Sequence, residues 1–358
     1  MNKIILLLLV LISIQGAAQD STKTNPVSIS GYIEVYYSYD FSNPANHERP
    51  SFFYNYKRSN EVNLNIGFIK IAYNTKTVRS NLALMEGTYA QYNLAGEQGL
   101  LKNVFEANVG VKVSKTQNVW VDAGVLPSHI GFESAIGKDC WNLTRSLLAE
   151  NSPYYETGVK LGYTSKSEKL YMSVMYLNGW QRIQRVAGNQ TPAFGSQITI
   201  KPSSNVTLNW STFVGNEQPD SVQKWRYFNN FYTQLNLTNK IGLIAGFDIG
   251  IQQKTKGSNS YDVWYSPVLI ARYLLSNRIH IAGRGEFYSD KNGVIIETGT
   301  PNGFQTLGYS LNLDYHFLNN VVFRVEGRGL SSKDKIFTLA NKPSSHNYFV
   351  TTSLAISF

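Results

Sequence analysis

The chain has 358 residues, enough for one large domain or two ordinary ones. Only 16% of them are charged, below the roughly 25% usual for soluble domains, whereas aromatic residues make up 13%. The formal net charge is +9, but the lysines and arginines are scattered rather than clustered, which argues against a nucleic-acid partner. Cys140 is the single cysteine, so the chain cannot form an internal disulfide or a multi-cysteine metal site.

Residues 1–18 have the pattern of a secretory signal peptide. Lys3 precedes an apolar run over residues 4–14, and small residues follow at 16–18. This run of about eleven apolar residues is too short to span a bilayer as a helix. An uncleaved anchor is the alternative. Because the composition does not shift after the signal, we expect one domain over residues 19–358, with a barrel over 27–358.

The first predicted strand, residues 27–41, alternates apolar and polar side chains without a break. The same period of two recurs in five later segments: 105–113, 156–163, 241–252, 307–317 and 348–358. An aliphatic face opposite a face of charges and glycines suits a strand that has lipid on one side and water on the other. A soluble sandwich would show the same alternation, so periodicity alone does not separate the two folds.

The connections between strands separate these two folds, because they alternate between short and long. Seven short polar turns lie near residues 74–77, 114–117, 165–168, 202–205, 238–240, 276–278 and 318–320. Eight longer segments lie near residues 42–60, 91–102, 127–153, 181–194, 216–225, 253–260, 289–302 and 331–345. The pattern predicts an all-β fold, a transmembrane antiparallel up-and-down β-barrel of about sixteen strands, with short periplasmic turns and long extracellular loops. A barrel of this size leaves an aqueous passage, whereas eight strands would fill their own interior.

The longest loop, residues 127–153, mixes apolar and ionisable residues. A free external loop would be more uniformly polar, so we expect this loop to fold into the barrel and narrow the channel. It would then present Glu133, Lys138, Asp139 and Arg145 to solutes. The alternatives are an external flap or a contact between protomers.

Charged residues also recur on the inward faces of several predicted strands. An arginine on the lipid face at mid-bilayer would cost about 2–4 kcal/mol, which favours the lumen for these residues. They either form a charged wall that selects solutes or a salt-bridge ladder that stiffens the barrel. The candidates are Glu156, Lys160, Arg284, Glu286, Asp290, Arg324, Glu326 and Arg328.

Several aromatic residues are predicted to form girdles at the two membrane interfaces, with sugar stacking as the alternative for some of them. They are Tyr37, Tyr39, Trp120, Tyr163, Trp210 and Phe358.

The sequence offers little for catalysis, and we predict no enzyme activity, no cofactor and no metal site. The five histidines are dispersed, without an HExxH motif or a pair at ligand spacing. Ser128 and His129 are adjacent in sequence, which is poor geometry for a nucleophile and its base. His316 lies on an inward face but has no accompanying serine motif.

Three segments and the terminal Phe358 resemble the OmpL-like β-barrel porin family of Bacteroidetes-type bacteria. The segments are Gly124–Gly131, Trp141–Gly158 (WNLTRSLLAENSPYYETG) and Arg284–Gly293 (RGEFYSDKNG). The third fills the RxExxxDxxG pattern of that family, with a mild departure at Gly285.

The resemblance implies an outer-membrane porin that contacts outer-membrane lipid and passes small hydrophilic solutes or ions by passive diffusion. The alternative is a surface or binding barrel with a plugged lumen and partner-binding loops. Porins of sixteen strands often form trimers, but no feature of this sequence specifies an oligomer.

Overall fold

The computed structural model describes residues 25–339 and 342–358. Sixteen strands close into one antiparallel barrel, in which each strand pairs with its neighbours in sequence and β1 pairs with β18. The predicted fold class and strand number are confirmed. The barrel strands are β1 (Val27–Asp40), β2 (Glu61–Asn74), β3 (Val78–Glu86), β4 (Val104–Lys112), β5 (Asn118–Pro127), β6 (Tyr155–Thr164), β7 (Leu170–Leu177), β8 (Ala193–Ser203), β9 (Val206–Asn216), β10 (Trp225–Asn236), β11 (Ile241–Gln253), β12 (Tyr261–Leu274), β13 (Ile279–Asp290), β14 (Phe304–Leu318), β15 (Val321–Ser332) and β18 (His346–Ser357).

The alternation in sequence becomes an apolar outer wall and a mostly polar lumen. Outward side chains such as Ile29 and Leu311 are 65% and 66% exposed, whereas inward charges such as Glu34 and Glu326 are buried. Closure of the sheet pairs every edge, which is the condition that a hydrocarbon environment imposes on the backbone.

The seam between the first and last strands depends on a small residue. The backbone of Phe358 exchanges two hydrogen bonds with Gly31, at 2.8 and 3.0 Å. The Phe358 ring lies so close to Gly31 that a Cβ there would stand 2.3 Å from it. A larger residue at this point of the seam would force the Phe358 ring to move.

Short turns gather at one end of the barrel, the turn end, and long loops at the other, the loop end. The seven predicted turns and eight predicted loops all lie where the sequence placed them. The loops carry helices α1 (Thr88–Asn93) and α2 (Leu147–Glu150), the 3-10 helices Gly99–Asn103, Gly137–Asp139 and Asp220–Val222, and a hairpin of β16 (Phe337–Leu339) and β17 (Lys342–Ser344). Among the residues described, no helix is long and apolar enough to cross a membrane.

Several loops fold inward at the loop end and form an apolar cluster inside the barrel. Phe52 of the loop over residues 41–60, the first loop, packs against Phe304 with ring centroids 4.8 Å apart. Phe53 of the same loop packs against Phe349 of β18 at 5.5 Å. The first loop therefore lines the interior, which its sequence did not predict.

Candidate functional site

The loop between β5 and β6, residues 128–154, enters the lumen, and we call it the inner loop. The hydroxyl of Ser211 on β9 donates to the carbonyl of His129 at 2.7 Å, and the amide of Gly131 donates to Asn230 on β10 at 3.1 Å. Further along, the Leu143 amide donates to Asn312 on β14 at 3.1 Å. The loop thus crosses the lumen and covers the wall from β9 to β15.

Four charged side chains from β13 and β15 hold the centre of the inner loop. Arg284 donates to the Thr144 carbonyl at 2.6 Å and to Glu326 at 2.9 Å. Glu326 accepts the Thr144 amide at 2.5 Å and the Thr144 hydroxyl at 2.9 Å. Arg328 pairs with Glu286 at 2.6 Å. All four side chains are fully buried, so each charge needs a partner that compensates it. The inner loop supplies the partners that the barrel strands do not.

The short helix α2 sits on this network. Its first amide, from Leu147, donates to Glu286 at 2.6 Å, and the Ser146 hydroxyl accepts the Ala149 amide at 3.2 Å. Glu133 accepts the amide of Ser146 at 3.0 Å and also its hydroxyl. Burial raises the pKa of the Glu133 carboxyl, an effect that Arg284 and Ser146 oppose.

Arg324 of β15 holds the first half of the inner loop. It forms a bidentate pair with Asp314 of β14, at 2.6 and 3.0 Å. Its remaining donors reach the carbonyls of Gly137 at 2.6 Å, Cys140 at 3.0 Å and Trp141 at 3.1 Å. One guanidinium therefore connects two barrel strands and three loop residues.

Arg145 organises the inner loop from within. It donates to the carbonyls of Ser134 at 2.6 Å, Ala135 at 3.1 Å and Leu143. It also contacts the Tyr56 hydroxyl of the first loop at 3.4 Å. The side chain is fully buried.

Two other predicted residues have comparable structural roles. Asp290 accepts the amides of residues 294–296, at 2.9, 2.6 and 2.9 Å, and so shapes the loop after β13. Glu156 contacts His129 at 2.6 Å at the start of the inner loop.

The structure separates the twelve predicted lumen residues into two groups. Nine have almost no exposed side-chain surface, because the inner loop or another loop covers them. These nine are Glu133, Arg145, Glu156, Arg284, Glu286, Asp290, Arg324, Glu326 and Arg328. The other three have exposed side-chain surface: Lys138 at 37%, Asp139 at 47% and Lys160 at 21%.

The geometry around Ser128 and His129 is that of a structural anchor. His129 uses one ring nitrogen on Glu156 at 2.6 Å and the other on the Thr212 carbonyl at 2.8 Å. With both nitrogens engaged, the ring has none left for the Ser128 hydroxyl. The absence of enzyme activity remains a prediction.

On the lumen side of β2–β6, five charged residues form no hydrogen bond to the inner loop, and we call this surface the free wall: Lys70, Arg79, Glu106, Asp122 and Lys160. Lys70 pairs with Glu106 at 2.6 Å, and Arg79 forms a bidentate pair with Asp122 at 2.7 and 2.6 Å. Lys160 lies 3.9 Å from the same Asp122. Of these five residues, only Lys160 was predicted from the sequence. The alternation of inward and outward side chains along β2 to β5 would also have placed Lys70, Arg79, Glu106 and Asp122 in the lumen.

A glycine permits the main ion pair of the free wall. Arg79 on β3 and Asp122 on β5 reach each other across β4, at the position of Gly110. A Cβ at Gly110 would stand 2.2 Å from the Asp122 carboxylate, so a larger residue would displace the two paired side chains.

Trp120 belongs to the free wall as well, and the prediction that it forms a membrane girdle was wrong. It has the same parity on β5 as Asp122, and the Arg79 guanidinium lies 4.3 Å from its ring. Side chains two residues apart lie on the same face of a strand, so Trp120 faces the lumen as Asp122 does.

The closed cylinder, its apolar outer wall, the loop folded into its bore and the polar wall opposite define a porin-type barrel. The sequence matches the family described as "Putative beta-barrel porin-2, OmpL-like" over residues 26–358, and the chain belongs to this family. It is therefore an outer-membrane porin, a channel for passive diffusion. No curated protein is matched by the sequence.

Solved porin structures have the same fold at low sequence identity. The anion-selective porin from Comamonas acidovorans aligns with a TM-score of 0.60 and 8% identity, over 93% of this chain and 99% of that one. The trimer form of OmpT from Vibrio cholerae gives 0.59 and 8%, over 93% and 99%. The outer-membrane channel DcaP of Acinetobacter baumannii gives 0.60 and 12%, over 93% and 97%.

Proposed function

We propose that solutes pass between the inner loop and the free wall, and that the channel prefers small hydrophilic anions. The inner loop covers the wall from β9 to β15, so the free wall on β2–β6 carries the charged surface that remains available to water. The passage follows the strands from the loop end to the turn end.

The exposure of charged side chains on the free wall carries the anion preference. Lys70, Arg79 and Lys160 are 28%, 35% and 21% exposed, whereas their partners Glu106 and Asp122 are only 8% and 4% exposed. The cations therefore face the water and the carboxylates lie behind them. A lumen lined this way attracts anions and repels cations.

Two structural relatives bear on the proposal. The Comamonas protein is described as anion-selective, which agrees with it. The Vibrio protein is described as a trimer, and a trimer of this chain stays an expectation that its mass in detergent would test.

Planar-bilayer recording in a KCl gradient tests the preference. We expect a reversal potential that reports Cl⁻ over K⁺, and a shift toward K⁺ in Lys160→Gln and Arg79→Gln. The matched control is Lys256→Gln, which removes the same charge from an exposed residue outside the barrel strands.

Two results would contradict the proposal. A cation-selective channel, or equal shifts in Lys160→Gln and Lys256→Gln, would exclude the free wall as the selective surface. A folded, reconstituted barrel that never conducts would instead favour a plugged barrel with partner-binding loops.

A further inference from the structure

Two histidines and an aspartate meet on the lumen side near the turn end. His280 of β13 and Asp314 of β14 are direct cross-strand partners, and His316 follows two residues later on the same face. His280 lies two residues after the 276–278 turn, and the His316 amide donates to the carbonyl of Arg278 in that turn at 2.8 Å. Both histidines are partly exposed, so the cluster is accessible from the lumen.

The two imidazoles converge through their nitrogens. Nδ1 of His280 lies 3.1 Å from Nε2 of His316, with the rings inclined at 49°. Two nitrogens that bind one zinc ion at 2.0–2.1 Å each are separated by about 3.3 Å in a tetrahedral site. One ligand atom from each of the three residues lies within 4.8 Å of the others. The two histidine nitrogens therefore already have the spacing of two zinc ligands, and the aspartate lies near enough to join them by a small side-chain movement.

Asp314 is already oriented by its neighbours. Asn312 donates to its Oδ1 at 2.8 Å, and Arg324 donates to both of its oxygens. The Asp314–Arg324 pair carries no net charge. Oδ2 accepts only one described hydrogen bond, at 3.0 Å, and keeps a lone pair for a further partner.

We propose that His280 and His316 bind a divalent transition-metal ion of the zinc class, with Asp314 as the third ligand and water completing the shell. Each neutral imidazole can present its bare nitrogen to the ion while its proton sits on the other ring nitrogen. Imidazole ligands select zinc-like ions over Mg²⁺ and Ca²⁺, which prefer oxygen. The alternative is that His280 and His316 form only a hydrogen bond to each other and bind no metal ion.

Calorimetric titration of the refolded, tag-free protein in detergent with ZnCl₂ at pH 7.5 tests the site. We expect one site in the micromolar range, and no heat with MgCl₂. His280→Gln and His316→Gln should each weaken Zn²⁺ binding at least tenfold. His346→Gln is the matched control, because His346 is exposed and stacks on Tyr348 away from this cluster.

Absence of zinc binding by the folded wild-type protein would overturn the proposal. So would an equal loss of binding in His346→Gln and His280→Gln. The titration does not depend on conductance, so failure of the channel proposal and failure of the metal site are distinguishable.

Discussion

The first loop contains two cations that lack an acidic partner within the described part of the chain. The Lys57 ammonium donates to the Pro50 carbonyl at 2.8 Å. The Arg49 guanidinium lies 3.7 Å from the Phe349 ring and 4.4 Å from the Phe53 ring. Burial lowers the pKa of Lys57 from 10.5 to about 8, with a further lowering from Arg49. Burial also lowers the pKa of Arg49 to about 10.

Lys57 should therefore make stability depend on pH. Its folded pKa lies below its unfolded value of 10.5, so between about pH 8 and 10.5 the unfolded chain binds more protons. The free energy of unfolding should rise with pH across this window, and the rise should be smaller in Lys57→Met. Guanidinium unfolding at pH 7.5 and 10 measures the difference. Lys254→Met, at a lysine with 54% side-chain exposure, is the control and should match the wild type; identical slopes in all three proteins would refute the prediction.

At the scale of elements, the inner loop is held by charged side chains of the barrel rather than by its own helices. Its longest described helix, α2, has only four residues, too few to be stable alone. Breaking a buried ion pair costs about 3–5 kcal/mol because it leaves an uncompensated charge. Contacts from β13 to β15 thus decide whether the loop stays in the lumen.

Cys140 reports the position of this loop, since it is the only thiol in the chain. It is buried, and burial raises the pKa of the thiol, so it should react slowly with maleimide in the native protein. Arg324→Lys keeps the charge but loses the fork that holds Gly137, Cys140 and Trp141. We expect Cys140 labelling to become at least tenfold faster.

Arg79→Lys is the matched control for that experiment. Arg79 also forms a bidentate pair with an aspartate, Asp122, but it lies on the free wall and does not hold the inner loop. Labelling of Cys140 should be unchanged in this variant. Equal acceleration in both variants would mean that general loosening of the barrel, and not release of the loop, exposes the thiol.

At the scale of the whole molecule, the cylinder separates lipid from water by the parity of each strand. Leu311 on β14 is 66% exposed on the outer wall, whereas Gln197 on β8 faces the lumen and donates to Asn209 at 2.9 Å. Substitution by arginine should therefore lower the stability of the barrel by different amounts at these two positions.

Leu311→Arg should destabilise the barrel by about 2–4 kcal/mol in phospholipid vesicles, because the charge enters hydrocarbon. Gln197→Arg should lose only a hydrogen bond, about 0.5–1.5 kcal/mol, because its new charge meets water. Guanidinium unfolding from vesicles measures both. A larger loss of stability for Gln197→Arg than for Leu311→Arg would show that Gln197 faces lipid and Leu311 faces the lumen.

The fold was predictable because strand period and loop length are local properties of the sequence. The site was less predictable, because its contacts join distant residues. Arg284 and Thr144 are far apart in sequence, and nothing local shows that the inner loop covers the arginine. Trp120 was misplaced because aromatic residues suit both an interface and a lumen. The signal peptide over residues 1–18 lies outside the described residues and stays a prediction.

The lumen carries two separate groups of charged residues. Charges that secure the architecture sit beneath the inner loop, while those that meet the solvent stand on the opposite side, at Lys70, Arg79 and Lys160. On the proposed path, exchange of these three side chains would alter permeation while the contacts that hold the inner loop stay in place.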